Sequence, residues 1–313
     1  MTDNYVRFWG VRGSYPAPFT THMAYGGNTP CVEVRLGNEL IIFDAGTGII
    51  PLGNALMGQS EIRHIHIVLS HYHWDHIQGM PYFVPAFVPG WRISIYGPAE
   101  NPEKLADQIS QQMKAPYFPV EVETWLADIS YHTPHNRPFD IGPATLQAFP
   151  VHHPGTTYGY RLEFNGRSVV YAPDNELQFI SQSIDDRKAE FDEEEKALLE
   201  AMKEEQRLKG IHFMAGADMV IHDAQYTPED YTRKRGWGHS CYIDTINSAI
   251  DANTDCLYLF SHDPNYNDLT LDEIAGRADT QVSERQAAMG CWLARENMTV
   301  SLDGERLNPI DCP

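Results

Sequence analysis

Four side chains able to bind a metal fall within six residues, His71-Tyr72-His73-Trp74-Asp75-His76, just after the run Ile65-His66-Ile67-Val68-Leu69. In an extended segment, residues two apart leave the backbone on the same side, so His71 and His73 can close on one ion. Asp75 and His76 are consecutive and face differently as the chain turns, which lets them reach a second ion beside the first. The pattern is that of a two-metal hydrolytic site. It differs from helical zinc sites, whose histidines share a face at a spacing of four. The competing reading is a histidine-rich surface loop, which would have to gather four ligands at this spacing by chance.

Other segments carry the same kind of residue at the ends of apolar runs. Ile41-Ile42-Phe43-Asp44-Ala45-Gly46-Thr47-Gly48 places an aspartate after a buried run, and His152-His153-Pro154-Gly155 offers two histidines. Val170-Tyr171-Ala172-Pro173-Asp174 and Leu259-Phe260-Ser261-His262-Asp263-Pro264 repeat the arrangement. Ile221-His222-Asp223-Ala224-Gln225-Tyr226 and Gly236-Trp237-Gly238-His239-Ser240 add an acid and an imidazole.

Together with HxHxDH after a strand, these segments resemble the metallo-β-lactamase superfamily. The resemblance implies an α/β fold of the four-layer αββα type, one domain over residues 1–313, with Asp44 orienting the metal loop. It further implies that His71, His73 and His153 hold one ion, that Asp75, His76 and His262 hold the other, and that Asp174 bridges them. His153 is preferred to His152 because it precedes Pro154 and stands six residues before Gly159. The acid and histidine of the last two segments, with Val6 to Ser14 and Tyr25-Gly26-Gly27-Asn28-Thr29, are similar to the phosphodiesterase and ribonuclease Z branch, particularly its cyclic-nucleotide phosphodiesterase-like and PhnP-like members. There Asp223 and His239 would act together in proton transfer.

The activity so implied is hydrolysis of a small phosphodiester, cyclic-nucleotide-like, by a metal-bridging hydroxide, with Asp75, Asp223 and His239 in catalytic roles. Two divalent transition-metal ions are expected, zinc first, with manganese or iron compatible with the same donors. The alternative is a di-iron sensor of oxygen or nitric oxide on the same scaffold. Thioester or lactone hydrolysis is a further rival, disfavoured by the Gly-Trp-Gly-His-Ser segment.

The formal charge of −20 bears on partners. Such a chain repels a long polyanion, so a small anionic substrate is expected and extended nucleic acid is not. A homodimer is compatible with everything above. No apolar run approaches the roughly 20 residues that cross a bilayer, and the first residues lack a basic stretch followed by an apolar one. The five cysteines, Cys31, Cys241, Cys256, Cys291 and Cys312, show no CxxC spacing. Reduced thiols and a cytoplasmic setting are therefore expected.

The elements that must position these residues alternate along the chain. Residues 31–36, 40–44, 64–69, 92–96, 158–164, 168–172, 219–223 and 256–260 predict strands, many ending just before a candidate residue. Helical patterns follow Gly79, Pro102, Asp192, Ser240 and Thr270. The acidic stretch from Asp185-Asp186 through Asp192-Glu193-Glu194-Glu195 predicts a solvated amphipathic helix with its negative charge near its N-terminus. Tyr72 and Trp74 are expected to pack, and His64 and His66, on one strand face, to be structural. The aromatic segment 115–120, with a proline near each end, is balanced between a surface loop and a cover for the substrate.

Overall fold

The computed structural model describes residues 4–59, 61–134, 137–179 and 191–311. His135, Asp185, Asp186 and Cys312 lie outside them.

One sheet contains Asn4–Gly10 (β1), Cys31–Leu36 (β2), Glu39–Phe43 (β3), His64–Val68 (β4), Arg92–Tyr96 (β5) and Asp128–His132 (β6). The other contains Phe139–Ile141 (β7), Ala144–Pro150 (β8), Tyr158–Phe164 (β9), Arg167–Ala172 (β10), Met219–Asp223 (β11), Cys256–Phe260 (β12) and Gly290–Leu293 (β13). Thr299–Ser301 (β14) and Pro309–Asp311 (β15) return to the first sheet, whose order is β15-β14-β1-β2-β3-β4-β5-β6, while the second runs β13-β12-β11-β10-β9-β8-β7.

Successive strand residues face opposite ways, and here both faces are covered. Phe8, Val34, Phe43, Val68, Tyr160, Tyr171, Ile221 and Phe260 fill the layer between the sheets. On the outer face of the first sheet, Ile42, Ile65, Ile67 and Ile95 lie with Leu52 of helix Ile49–Leu56 (α1) and Leu105 of helix Pro102–Gln111. On the outer face of the second, Val220, Leu257 and Leu259 lie with Ile246 of helix Tyr242–Asp251 and Ile274 of helix Asp268–Glu284. The result is an αββα sandwich.

Direction matters more for function than layering does. β3 to β6 are mutually parallel, as are β10 to β13. The carboxyl ends of each parallel set therefore emerge on one edge, and Asp44, His71 to His76, Asp174, Asp223 and Ser261 all lie at or just beyond such ends.

All eight expected strands are present, each end within one residue of its predicted place. β1, β6 to β8 and β13 to β15 were not among those expectations. The helix expected after Gly79 is replaced by two 3₁₀ turns, Met80–Tyr82 and Val84–Phe87. Each has a proline in its first turn, where it removes a backbone donor, and a short helix (Trp74–Ile77, α2) instead precedes Gly79. Asp75 and His76 thus sit on a helical turn rather than in a loop. The helix at Glu193–His212 opens with a capping box between Asp192 and Glu195, as its acidic start suggests. Its Leu198, Met202 and Leu208 are exposed rather than packed. Tyr72 packs on the outer apolar layer as expected, whereas Trp74 is 65% exposed. In the 115–120 segment Phe118 meets Tyr82 edge-on and Tyr117 is exposed.

Candidate metal centre

The carboxylate of Asp174, buried just past β10, is the point on which the imidazoles converge. His76 Nε2 lies 3.2 Å from its Oδ2, His153 Nε2 3.5 Å and His71 Nε2 3.6 Å. His153 Nε2 also stands 2.9 Å from His73 Nδ1, and His76 Nε2 is 3.3 Å from Asp75 Oδ2. Two ligand sets result, each drawn together within 4.8 Å: His71, His73, His153 and Asp174, and Asp75, His76 and Asp174.

Each of three imidazoles is held from behind so that Nε2 points inward. His76 Nδ1 donates to Asp44 Oδ2 at 2.7 Å, His71 Nδ1 to Ser70 Oγ at 3.0 Å and His153 Nδ1 to Gly238 O at 2.8 Å. Such outer contacts fix the tautomer and ring orientation that a ligand needs. Asp44 anchors the arrangement. It adopts a positive φ of 58° and also accepts from Ser70 N at 2.7 Å, Ser70 Oγ at 2.8 Å and Tyr171 OH at 2.8 Å.

The residues fit divalent cations. Nε2 of His71 is buried without any hydrogen-bond partner, a costly state for a ring nitrogen unless it binds an ion, while Nε2 of His76 faces the carboxylates of Asp174 and Asp75. Burial, followed by the charge of His76, keeps His71 well below the ordinary imidazole range, and burial likewise lowers His153. Burial disfavours charge on Asp174 too, but His76, His239 and His153 outweigh it and hold the carboxyl ionised. Neutral imidazoles around an ionised carboxylate are the protonation state that metal binding requires. His76 is the exception: burial opposes its charge, yet Asp174, Asp75 and Asp44 push it well above the usual range. Its proton occupies an electrostatic position that a cation would take.

Beside this cluster, His239 Nδ1 donates to Asp223 Oδ2 at 2.9 Å, and Asp174, Asp223 and His239 form a third close group. Asp223 is fixed by Asn175 N and Gln225 N, each donating at 3.0 Å. Burial works against a charge on His239, but Asp223 and then Asp174 carry it up to about 9. Burial raises Asp223 to about 6, with His239 pulling the other way. The histidine's loop is tied down by Glu176, which accepts from Gly236 N at 2.8 Å, Gly238 N at 2.9 Å and Tyr231 OH at 3.0 Å.

His262, expected as the last ligand, is not brought into the centre. Its Nε2 donates to Ala294 O at 2.8 Å, and its ring meets Tyr25 edge-on at 5.9 Å. Ser261 turns inward instead, its Oγ 3.4 Å from Asp174 Oδ1. Ser261 has φ 60°, and this left-handed residue after β12 sets which of the two neighbours faces the carboxylate. His152 also lies outside the cluster, its ring 4.3 Å from that of Phe179. The sequence reading gave no role to Ser70, Tyr171, Glu176 or Ser261. Their types are common, and only the position of each strand end makes them informative.

The model for the beta-lactamase superfamily domain matches residues 40–260. A ribonuclease Z of Picrophilus torridus is 23% identical over 289 residues, covering 85% of this chain and 88% of its own. The metallo-beta-lactamase fold protein YhfI of Bacillus subtilis superposes with a TM-score of 0.64 at 19% identity, over 95% of this chain and 98% of its own. A diphosphatase of the PhnP family gives 0.62 at 18%, over 96% and 98%.

Proposed function

Because this chain belongs to the beta-lactamase superfamily, we propose that it is a metal-dependent hydrolase of small, cyclic-nucleotide-like phosphodiesters, working with two divalent ions in a cytoplasmic setting. The observation that carries the reading is the hydrogen-bonded pair of Asp223 and His239 beside Asp174, because ligands alone do not choose between hydrolysis and oxygen binding. The name of the Picrophilus relative and the PhnP family of the structural neighbour support chemistry at phosphorus.

His71, His73 and His153 would hold one ion and Asp75 and His76 the other, with Asp174 between them. Bound there, such ions would supply a nucleophilic hydroxide at neutral pH and neutralise charge on the phosphate. The rest falls to the chain's own groups. Asp223 fixes Nδ1 of His239 and keeps the ring protonated, so that it can give a proton to the leaving oxygen as general acid. Trp74 and Trp237, both exposed, sit on the segments that carry the ligands and the acid, and a nucleobase stacks on such faces. The net charge of −20 favours a small substrate over a long polyanion.

Protein loaded separately with zinc, manganese and iron is to be assayed on bis(p-nitrophenyl) phosphate, a cyclic nucleotide, a lactone, a thioester and precursor tRNA. Turnover of the first two with little on the rest is expected. Efficient trimming of tRNA would transfer the reading to an RNA-processing enzyme. Absence of any hydrolysis, with a visible band when the ferrous form meets oxygen, would replace it with a di-iron sensor.

A further inference from the structure

The two ligand sets around Asp174 are chemically unequal. One joins three imidazoles to a carboxylate, four donors of the kind that close a tetrahedral zinc site. The other contains a single imidazole, His76, with the carboxylates of Asp75 and Asp174.

Near the second set the structure places neutral oxygen-bearing side chains where a further imidazole was expected. Ser261 Oγ lies 3.4 Å from Asp174 Oδ1 and 3.3 Å from Gln225 Oε1. Gln225 Nε2 in turn reaches Ser14 Oγ at 3.3 Å, and Ser14 N donates to Asp75 Oδ2 at 2.7 Å. Ser261 and Gln225 are both buried. His262 is held away from them. Its backbone is pinned, His262 N donating to Val11 O at 2.9 Å and its carbonyl accepting from Gly13 N at 3.0 Å, while its ring is bonded to Ala294 on the other side.

We propose that the two positions bind different cations with different strengths. The three-histidine position takes a zinc-like ion tightly. The position at Asp75, His76 and Asp174, completed by the oxygens of Ser261, Gln225 and water, takes a harder ion such as Mn²⁺ or Mg²⁺, and only weakly. Hard cations prefer carboxylate, carbonyl and water ligands, whereas imidazole suits zinc and its neighbours. Lost outer-shell contacts alone weaken metal sites 10–100-fold, so a missing ligand predicts a difference of at least about a hundredfold.

This inference rests on the proposed function only in assuming that the centre binds metal, and its readout needs no substrate. Full-length protein stripped with chelator, exposed to excess zinc and passed through a desalting column should retain one zinc by elemental analysis. Manganese added to that species should bind at one further, weaker position, followed by its electron paramagnetic resonance signal. Ser261→His should convert the retained stoichiometry to two zinc ions. Ser261→Ala should keep one zinc and weaken manganese several-fold, which carries the test if circular dichroism shows the histidine variant unfolded.

Two zinc ions retained by wild type with similar affinity would overturn the proposal, as would loss of one ion in His262→Ala with Ser261→Ala unchanged. One tight zinc and one weak manganese without phosphodiesterase activity would sink the reaction and leave this inference standing. Two equal zinc ions with that activity would do the reverse.

Discussion

At the scale of single residues, the separate duties of ligand and proton donor can be told apart by substitution. His239→Ala should keep its metal and lose about a hundredfold in kcat on a cyclic nucleotide, the usual scale for removing a general acid. The loss should be smaller on bis(p-nitrophenyl) phosphate, whose leaving group needs no proton. Equal turnover by mutant and wild type on both substrates would assign His239 a structural role. The same residue sets a pH dependence. In the proposed mechanism its protonated form donates, and Asp223 and Asp174 hold it up at about 9, so kcat should fall as pH rises through that region. Cations bound at Asp174 oppose the proton, which places the basic limb below 9. Asp223→Asn removes the nearest negative charge and should move the limb lower still; a limb that stays in place would detach it from His239. Histidine and aspartate at this spacing were readable from the sequence because few other roles demand such a cluster. The choice between Ser261 and His262 was not readable, since it depends on one backbone angle beyond β12.

At the scale of elements, the metal loop is clasped by the turn after β3. Ala45 N donates to His76 O at 2.7 Å and Gly79 N to Ala45 O at 2.9 Å, while a Cβ on Gly79 would stand 2.1 Å from Gly46 O. Gly79→Ala must therefore push α2 away from that turn, and a loss of about 2–4 kcal/mol in denaturant unfolding is expected, together with lost metal. A variant of unchanged stability would mean that the clasp yields freely. The strands leading into the site were legible because they are buried on both faces and read as apolar runs. The edge strands β6, β7 and β15 are short and mixed in character, so their sequence alone does not distinguish them from loops. The 3₁₀ turns after Gly79 mimic the apolar spacing of a helix, and only the placement of Pro81 and Pro85 hints otherwise.

At the scale of the whole molecule, the charge of −20 acts on any anion before it reaches the candidate centre. Added salt screens that repulsion over about 10 Å at 0.1 M. kcat/KM for a cyclic nucleotide should accordingly rise a few-fold between low ionic strength and ~0.15 M potassium chloride, with kcat unchanged. A steep fall instead would show that local cations steer the substrate. Four described cysteines are free thiols, and no described helix is long and apolar enough to cross a membrane. The layered architecture was legible through the alternation of strands and helices and through the family resemblance. The exposed apolar residues of the Glu193–His212 helix were not, because helical spacing says which residues share a face and not what covers them.

The carbonyl of Gly238 that accepts from His153 belongs to the segment that delivers His239, and a Cβ at Gly238 would meet His153 Nδ1 at 2.3 Å. His153 and the loop of His239 thus order each other, and a cation bound at His153 should shelter that loop from attack. Trypsin cuts after arginine and lysine, and Arg233, Lys234 and Arg235 stand just before it, Arg233 and Arg235 exposed. Cleavage there should slow in proportion to metal occupancy, since anything that binds the closed form alone depletes the open one. Proteolysis at these bonds would then act as a gauge of loading that needs neither substrate nor spectroscopy, and identical digestion rates with and without zinc would sever the link.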